Sequence, residues 1–208
     1  MQQRSKEWFE TRLGRFTASR INELMGVKGL NKTGDSYAYE KAIEIVYGKS
    51  DEDLSTFDMR RGVELEPVAF DLFSQKMGLE FIEVKKASFF PFGDNAGASP
   101  DGLVGKDEVL EIKCPRHAKF FNIVKGGLKE VDKAYIDQMQ MQMLCTNSKK
   151  CYFVNFIIFN DEPLMHIIEV YRDEERIKLI KERIKEAVKL RDEYVQYLLK
   201  DADLITFN

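Results

Sequence analysis

The segment SPDGLVGKDEVLEIKCP contains three side chains that could together catalyse a hydrolysis. They are those of Asp101, Glu111 and Lys113. Because side chains alternate along a strand, Glu111 and Lys113 would project side by side from one face of the strand VLEIK. Asp101 begins a neighbouring strand, and a short turn would bring its carboxylate near Glu111. Two converging carboxylates repel each other unless a cation lies between them. The sequence therefore predicts a site for a divalent cation, with the main-chain carbonyl of Ile112 as a further ligand.

A lysine beside a divalent cation suits the hydrolysis of a phosphodiester, because its ammonium can orient an attacking water or stabilise charge on the phosphate. Two other segments could contribute. Glu66 lies on a predicted helix, beside Pro67, where the helical pattern is interrupted. Gln138 shares a helix face with Gln142 and Tyr135, and its neutral amide could hold a water or a phosphate. The alternative for each segment alone is a solvated strand or helix face.

Composition and charge narrow the class of protein. The chain has 208 residues, 44% hydrophobic and 32% charged, which suits one globular domain spanning residues 1–208. Its net charge of −3 argues against general nucleic-acid binding. However, residues 1–32 hold seven basic and three acidic side chains, and residues 113–133 hold six and two. These local basic segments could bind phosphates or could be solvated helix faces.

Cysteine and histidine usage restricts the possible metal sites. The three cysteines have no CxxC spacing, and there are two histidines, which argues against zinc, an iron–sulfur cluster or a disulfide framework. Any metal should be a hard cation held by oxygen ligands. No signal peptide is recognisable, and the longest apolar run, residues 152–159, is too short to cross a membrane. A cytoplasmic protein without a membrane partner is therefore expected.

Hydrophobic periodicity predicts a mixed α/β fold with additional helices at both ends. Predicted helices cover residues 5–13, 18–25, 36–47, 57–77, 117–125, 133–145 and 173–199, with Thr17 as a possible N-cap. Pro67 should kink or restart the fourth of these. Predicted strands cover residues 79–84, 87–90, 102–104, 109–113, 150–159 and 163–171, the last two forming a hairpin. Loops are predicted at residues 27–35 and 50–55. The last helix has an inner stripe of Ile177, Ile180, Ile184, Val188, Arg191 and Val195.

Five segments, in this order, resemble the lambda-exonuclease-like, YqaJ-type alkaline exonucleases of phage recombination. They are WFETRLGRFTAS (8–19), RGVELEPVAFDLF (61–73), ASPDGL (98–103), LEIKCP (110–115) and YIDQMQMQM (135–143). These enzymes belong to the restriction-endonuclease-like PD-(D/E)xK nucleases. The resemblance implies that fold: a mixed sheet flanked by helices, with helical N- and C-terminal additions.

The resemblance also implies a role for each matching residue. Asp101 and Glu111 match the metal-binding acids, Lys113 the catalytic lysine and Gln138 the glutamine that places the attacking water. Glu66 matches a helix glutamate near the metals.

A second group of matching residues would bind the DNA end: Arg12 takes the 5′-phosphate, Ser19 and Thr17 lie in the same pocket motif, and Trp8 meets the DNA. From the residues alone, Arg12 could equally be a solvated helix arginine and Trp8 a packing aromatic. His117 and Cys114 are expected to be structural. Lys28 and Lys32 could contact the DNA backbone or be ordinary loop charges.

The function implied is Mg²⁺-dependent digestion of one strand of duplex DNA, 5′ to 3′, to mononucleotides, leaving a 3′ overhang. Two ions are expected, and Mn²⁺ could replace Mg²⁺. The family also implies a trimeric ring, a single-strand annealing protein as partner, and a phage or prophage origin in a bacterial cytoplasm. Two alternatives remain open: a helicase-associated or Cas4-like nuclease of different polarity, and a non-catalytic scaffold that binds DNA ends. Three scattered cysteines cannot supply the iron–sulfur ligands of the Cas4-like group.

Overall fold

The fold comprises six α-helices and eight strands in a computed structural model that describes residues 3–48 and 57–200. The helices are α1 (Lys6–Arg12), α2 (Lys32–Tyr47), α3 (Phe57–Gly78), α4 (His117–Gly126), α5 (Lys133–Thr146) and α6 (Glu174–Lys200), with 3₁₀ helices at Ala18–Leu24 and Gly127–Glu130. The strands are β1 (Phe16–Thr17), β2 (Val84–Lys86), β3 (Phe90–Phe92), β4 (Ala96–Ala98), β5 (Gly102–Val104), β6 (Glu108–Lys113), β7 (Lys150–Phe159) and β8 (Glu162–Tyr171). The loop predicted at residues 50–55 lies outside the described residues.

Two mixed sheets confirm the predicted α/β class. The larger has the strand order β2-β5-β6-β7-β8, in which only β6 and β7 are parallel. Helices α4 and α5 make the crossover that this parallel pair requires. The smaller sheet has the order β1-β4-β3, with β1 and β4 parallel. The predicted hairpin is β7–β8, whose turn contains Asn160 and Asp161, both with positive φ.

The two faces of strand β6 pack against different helices, as its alternation predicts. Leu110 and Ile112 lie in one core cluster with Phe73 of α3. On the opposite face, Val109 belongs to a second cluster with Met139 and other side chains of α4, α5 and β7. Glu111 projects from this second face, so it points toward α5. The sheet is thus covered on both sides, and the site lies between β6 and α5.

A third core joins the ends of the chain. Phe16, Tyr37 and Met141 pack there with Ile180 and Ile184 of α6. This confirms the inner stripe of α6 at its central positions. Arg191, also on the predicted stripe, is buried and donates to the carbonyl of Gly14 at 2.9 Å and to Asn95 Oδ1 at 2.7 Å. None of the helices within residues 3–48 and 57–200 is long and apolar enough to cross a membrane.

Several helix predictions differ from the structure. The segment predicted as a helix at 18–25 is a 3₁₀ helix. Thr17 occupies its N-cap position as predicted, but its hydroxyl makes no cap bond and lies instead beside the hydroxyls of Ser19 and Tyr37. Helix α2 begins at Lys32, inside the predicted loop, because the side chain of Asn31 accepts the N–H of Gly34 and caps the helix. Helix α3 continues through Pro67, so of the two predicted effects of this proline the restart does not occur and the kink stays a prediction.

The strand predictions between residues 79 and 98 were also partly wrong. The apolar residues Leu79 and Phe81 are 84% and 99% exposed in the turn after α3, and β2 begins only at Val84. β3 covers Phe90–Phe92, so it begins only at the last residue of the strand predicted at 87–90. Strand β4 was missed because its sequence, AGA, contains none of the β-branched or aromatic residues typical of strands.

The small residues of β4 allow an aromatic ring to pack directly on its backbone. A Cβ atom at Gly97 would lie 2.1 Å from Cζ of Phe89. We therefore expect Gly97→Ala to reduce the free energy of unfolding by about 1–3 kcal/mol, the usual cost of overpacking a core. Urea unfolding would measure this change. The matched control is Gly78→Ala, whose added Cβ meets no atom within 4 Å; equal effects of the two substitutions would contradict the prediction.

Candidate active site

Main-chain pairing between β5 and β6 fixes the position of Asp101. Its N–H donates to the carbonyl of Leu110 at 3.0 Å, and its Oδ2 accepts the N–H of Ile112 at 2.6 Å. Gly105, with a φ of +55°, lies in the turn that reverses the chain between the two strands. Asp101 is thereby held beside Glu111, as the sequence predicts.

Three donors hold the carboxylate of Glu111, which is only 2% exposed. Gln138 Nε2 donates to Oε1 at 2.6 Å, and Gln142 Nε2 donates to Oε2 at 2.5 Å. The ammonium of Lys113 lies 2.6 Å from Oε1 and 4.8 Å from the ring centre of Tyr135. The structure thus brings the predicted residues Glu111, Lys113 and Gln138 into direct contact. It also adds Gln142, whose position four residues after Gln138 was the signal for a shared face.

Neighbouring charges and burial shift the pKa values of Asp101 and Lys113. Burial raises the pKa of Asp101 well above its usual value, and repulsion from Glu111 and Glu66 raises it further. Burial alone would lower the pKa of Lys113, but the carboxylates of Glu111 and Asp101 outweigh burial and raise it. The side chain of Lys113 is therefore an ammonium in this arrangement and acts as a charge and a hydrogen-bond donor.

This donor set suits a hard divalent cation. The described part of the chain contains no group of three or more Asp, Glu, His or Cys side chains that already converge as metal ligands. However, Asp101 and Glu111 are adjacent carboxylates whose mutual repulsion contributes to the raised pKa of Asp101. A cation between them would relieve that repulsion. The carbonyl of Ile112, between Glu111 and Lys113 on β6, is the further oxygen predicted from the sequence.

Glu66 and Asp101 line the same cavity, which has a volume of about 570 Å³. Glu66 accepts from Arg4 Nη2 at 3.1 Å, and Gln3 Nε2 donates to the carbonyl of Pro100 at 2.7 Å. The N-terminal segment therefore forms one wall of the cavity. Sequence analysis missed Gln3 and Arg4, and no local pattern marks them.

A second cluster of site residues is organised around Ser99, another residue that sequence analysis did not single out. Its Oγ accepts from Trp8 Nε1 at 2.9 Å and from Arg12 Nη1 at 3.3 Å. The guanidinium of Arg12 also stacks on Trp8, 4.0 Å from the ring centre. Since Ser99 lies two residues before Asp101, the α1 side chains are tied to the segment between β4 and β5 that carries the candidate metal ligand.

Arg12 faces a cleft of about 200 Å³, also lined by Trp8, Thr17, Arg20 and Lys41. Arg20 and Lys41 are neutralised by hydrogen-bonded glutamates: Glu23 and Glu40 for Arg20, and Glu44 for Lys41. By contrast, no carboxylate within the described residues pairs with Arg12, and burial lowers the pKa of its guanidinium to about 10. Arg12 is therefore a half-buried cation that no described carboxylate hydrogen-bonds, although Glu40 and Glu44 line the same cleft and the charge of Glu44 acts to raise its pKa. Its guanidinium is available to bind an anion.

The remaining candidates differ in their surroundings. Thr17 is buried and lines the Arg12 cleft, and its Oγ1 lies 3.3 Å from Oγ of the exposed Ser19. Lys28 and Lys32 are exposed and line neither cavity. The ring of His117 packs against Phe159. The Cys114 carbonyl accepts from Arg61 Nη2 at 2.6 Å.

Comparison with known proteins decides the family. Residues 7–149 match the YqaJ-like viral recombinase domain. The chain belongs to this family. No curated protein sequence matches it significantly. Among solved structures it is similar to the alkaline exonuclease LHK-Exo of Laribacter hongkongensis, with 30% identity over 94% of this chain and 97% of that one and a TM-score of 0.79.

Two further structures support the assignment. LHK-Exo in complex with dAMP is 31% identical, with a TM-score of 0.81 over 93% of this chain and 96% of that one. A phage-related exonuclease from Haemophilus somnus 129PT shares the fold at 22% identity, with a TM-score of 0.69 over 88% and 96% of the two chains. The YqaJ-like domain described here is therefore a nuclease of the alkaline-exonuclease type that acts in recombination, with the PD-(D/E)xK fold.

The contact between Gln142 and Glu111 leads to a prediction about the stability of this YqaJ-like domain. Gln142→Met would leave Glu111 Oε2 buried without its donor, which costs about 1–3 kcal/mol. We expect the free energy of unfolding in urea to fall by that amount. Gln196→Met, at an exposed position of α6, is the control and should change it by less than about 0.5 kcal/mol. A Gln142 variant as stable as the wild type would show that this bond contributes nothing.

Proposed function

We propose that the chain is a Mg²⁺-dependent exonuclease that digests one strand of linear duplex DNA from its 5′ end. It would release mononucleotides and leave a 3′ single-stranded overhang. The observation that carries this proposal is the link between the Arg12 cleft and the carboxylate–lysine site through Ser99 and Asp101. Two residues of extended chain span about 7 Å, so a terminal phosphate and the next phosphodiester could occupy the two sites together.

Asp101, Glu111 and the carbonyl of Ile112 would hold the metal, with Asp101 shared with a second ion and Glu66 nearby. Mg²⁺, or Mn²⁺ in its place, would polarise the phosphate and offset the charge that develops on its oxygens. The adjacent carboxylates and the raised pKa of Asp101 support this ligand set.

Lys113 and Gln138 would orient the attacking water. Both donate to the same oxygen of Glu111, so the ammonium and the amide lie on one side of that carboxylate. From there the ammonium can also stabilise negative charge on the scissile phosphate. Gln142, bound to the other oxygen, would keep Glu111 from rotating as the reaction proceeds.

Arg12 would bind the 5′-phosphate of the strand being digested. Trp8 and Ser99 already fix the guanidinium, so little side-chain freedom is lost on binding. Thr17 and Ser19 could add hydroxyl donors to the same phosphate. Because each cut by this mechanism creates a new 5′-phosphate, the enzyme would advance one nucleotide at a time. The dAMP bound to LHK-Exo, a deoxynucleoside monophosphate, supports mononucleotides as the product class.

The proposed partners follow from the family. Duplex DNA ends would be the substrate, and a single-strand annealing protein would receive the exposed strand. The assembly proposed for this chain is a trimeric ring. The protein would be encoded by a phage or prophage and would act in the cytoplasm of the host. Membership of the viral recombinase family supports this setting.

A single labelled duplex tests the proposal. One end carries a 5′-phosphate and the other a 5′-hydroxyl, and each strand has a distinct internal label. We expect Mg²⁺-dependent loss of only the strand that begins with the phosphate, and no loss in EDTA. Shortening from 3′ ends or internal cutting would contradict the polarity. Binding without any cutting would instead favour the non-catalytic scaffold, against which the intact set of Asp101, Glu111 and Lys113 argues.

A further inference from the structure

A polar row crosses the central sheet beside the candidate catalytic lysine. In the strand register, Lys113 of β6 lies opposite Asn155 of β7, which in turn lies opposite His166 of β8. Residues opposite each other on neighbouring strands project from the same face of a sheet. Asn155 therefore lies on the face that carries Glu111 and Lys113, next to the lysine.

Asn155 is completely buried, and neither atom of its amide has a hydrogen-bond partner. A buried amide without partners costs free energy that an apolar side chain of the same size would avoid. The next residues on this face of β7, Phe153 and Ile157, are apolar and fully buried. The position could therefore hold an apolar residue, and an unpartnered amide there points to a role outside the folding of the chain.

The ammonium of Lys113 has a reason to need a second acceptor. In the structure it shares Glu111 Oε1 with the amide of Gln138. A divalent cation bound by Glu111 would repel this ammonium. The flexible four-carbon stem of lysine allows the ammonium to move, and neighbouring strands are only about 4.8 Å apart. The amide oxygen of Asn155 is an acceptor within that reach and has no other partner.

We propose that Asn155 is a positioning residue that accepts the ammonium of Lys113 when Glu111 binds a divalent cation. It thereby keeps the lysine in the site instead of letting the metal displace it. This inference rests on the proposed function, because it requires a metal at Glu111. It predicts that the contribution of Asn155 to metal affinity depends on Lys113.

Calorimetric titration of Mn²⁺ into four proteins tests this dependence: wild type, Asn155→Leu, Lys113→Met and the double variant. We expect Asn155→Leu to weaken Mn²⁺ binding about tenfold in the wild-type background, the value of one lost hydrogen bond to a charged group. In the Lys113→Met background it should have no effect. Phe153→Leu, on the same face of β7, is the control for loosened packing, and its effect should be the same in both backgrounds.

Equal effects of Asn155→Leu in the two backgrounds, or no effect in either, would overturn the inference while leaving the proposed function intact. A wild-type protein that binds no Mn²⁺ would contradict the proposed function itself and the inference with it. Asn155→Ser is carried through the same cycle as a second variant with the same expected result, because its hydroxyl is too short to reach the lysine.

Thermal unfolding in EDTA tests the premise that the amide has no partner. Without metal, Asn155→Leu should melt no lower than the wild type and about 3 °C higher. A melting temperature several degrees lower would show that the amide is satisfied in the folded protein and would overturn the inference. In kinetics, kcat should fall while KM for DNA is unchanged, since Asn155 acts through Lys113.

Discussion

Strand digestion by the Lys113→Ala variant is expected to be slower than that of the wild type by a factor of about 10³, the usual range for a group that orients the nucleophile and stabilises the transition state. The variant should still fold, because Glu111 keeps its bonds to Gln138 and Gln142. It should also still bind DNA, since Arg12 and the cleft around it are unchanged. Single-turnover digestion of a 5′-phosphorylated duplex measures the rate, and fluorescence anisotropy in Ca²⁺ measures binding.

The matched control for this prediction is Lys149→Ala. Lys149 is an exposed lysine that pairs with Asp107 at 2.7 Å on the surface, and its removal should leave the rate unchanged. Turnover by Lys113→Ala at the wild-type rate would refute the catalytic role of this lysine. A variant that loses DNA binding along with turnover would assign Lys113 a binding role instead.

The second prediction concerns the recognition of DNA ends by Arg12. We expect Arg12→Ala to reduce the preference for 5′-phosphorylated over 5′-hydroxyl ends by about tenfold or more, because a charge-assisted bidentate contact with phosphate is lost. Digestion from 5′-hydroxyl ends should be slowed much less, since that end offers no charge to the guanidinium. The ratio of the two rates, measured on otherwise identical duplexes, is the quantity to compare.

Arg15→Ala is the control for end recognition. Arg15 is three residues further along, bonds the carbonyl of Gly93 at 2.8 Å, and lines neither of the two cavities. Its removal should leave the end preference unchanged. If Arg12→Ala slows digestion from both kinds of end equally, Arg12 supports the fold or general DNA binding, and the proposed 5′-phosphate site is wrong.

The parts of the site that could be predicted from sequence are those set by local geometry. Alternation along β6 places Glu111 and Lys113 on one face, and the turn through Gly105 returns the chain so that Asp101 lies beside them. Helical spacing puts Gln138 and Gln142 on one face of α5. Each of these relations depends on a period or a turn within a few residues, so the sequence contains it directly.

Contacts between distant segments could not be predicted in this way. Ser99 accepts hydrogen bonds from Trp8 and Arg12 of a helix about ninety positions earlier in the chain, and Arg4 contacts Glu66 across 62 positions. Strand β4 is held in place by its pairing with β1 and β3 and by the packing of the Phe89 ring on Gly97. No local pattern encodes which segments meet, since that depends on how the whole core closes.

The sequence by itself determined the α/β class, the composition of the carboxylate–lysine set and the order of the motifs that identify the family. Only the tertiary structure decided which charges are compensated. Arg20 and Lys41 are paired with glutamates, whereas the half-buried Arg12 has no hydrogen-bonded carboxylate among the described residues, and Asn155 is buried beside Lys113 without a partner. The physical reason is that burial and pairing depend on neighbours from several segments, whereas residue type and spacing belong to one.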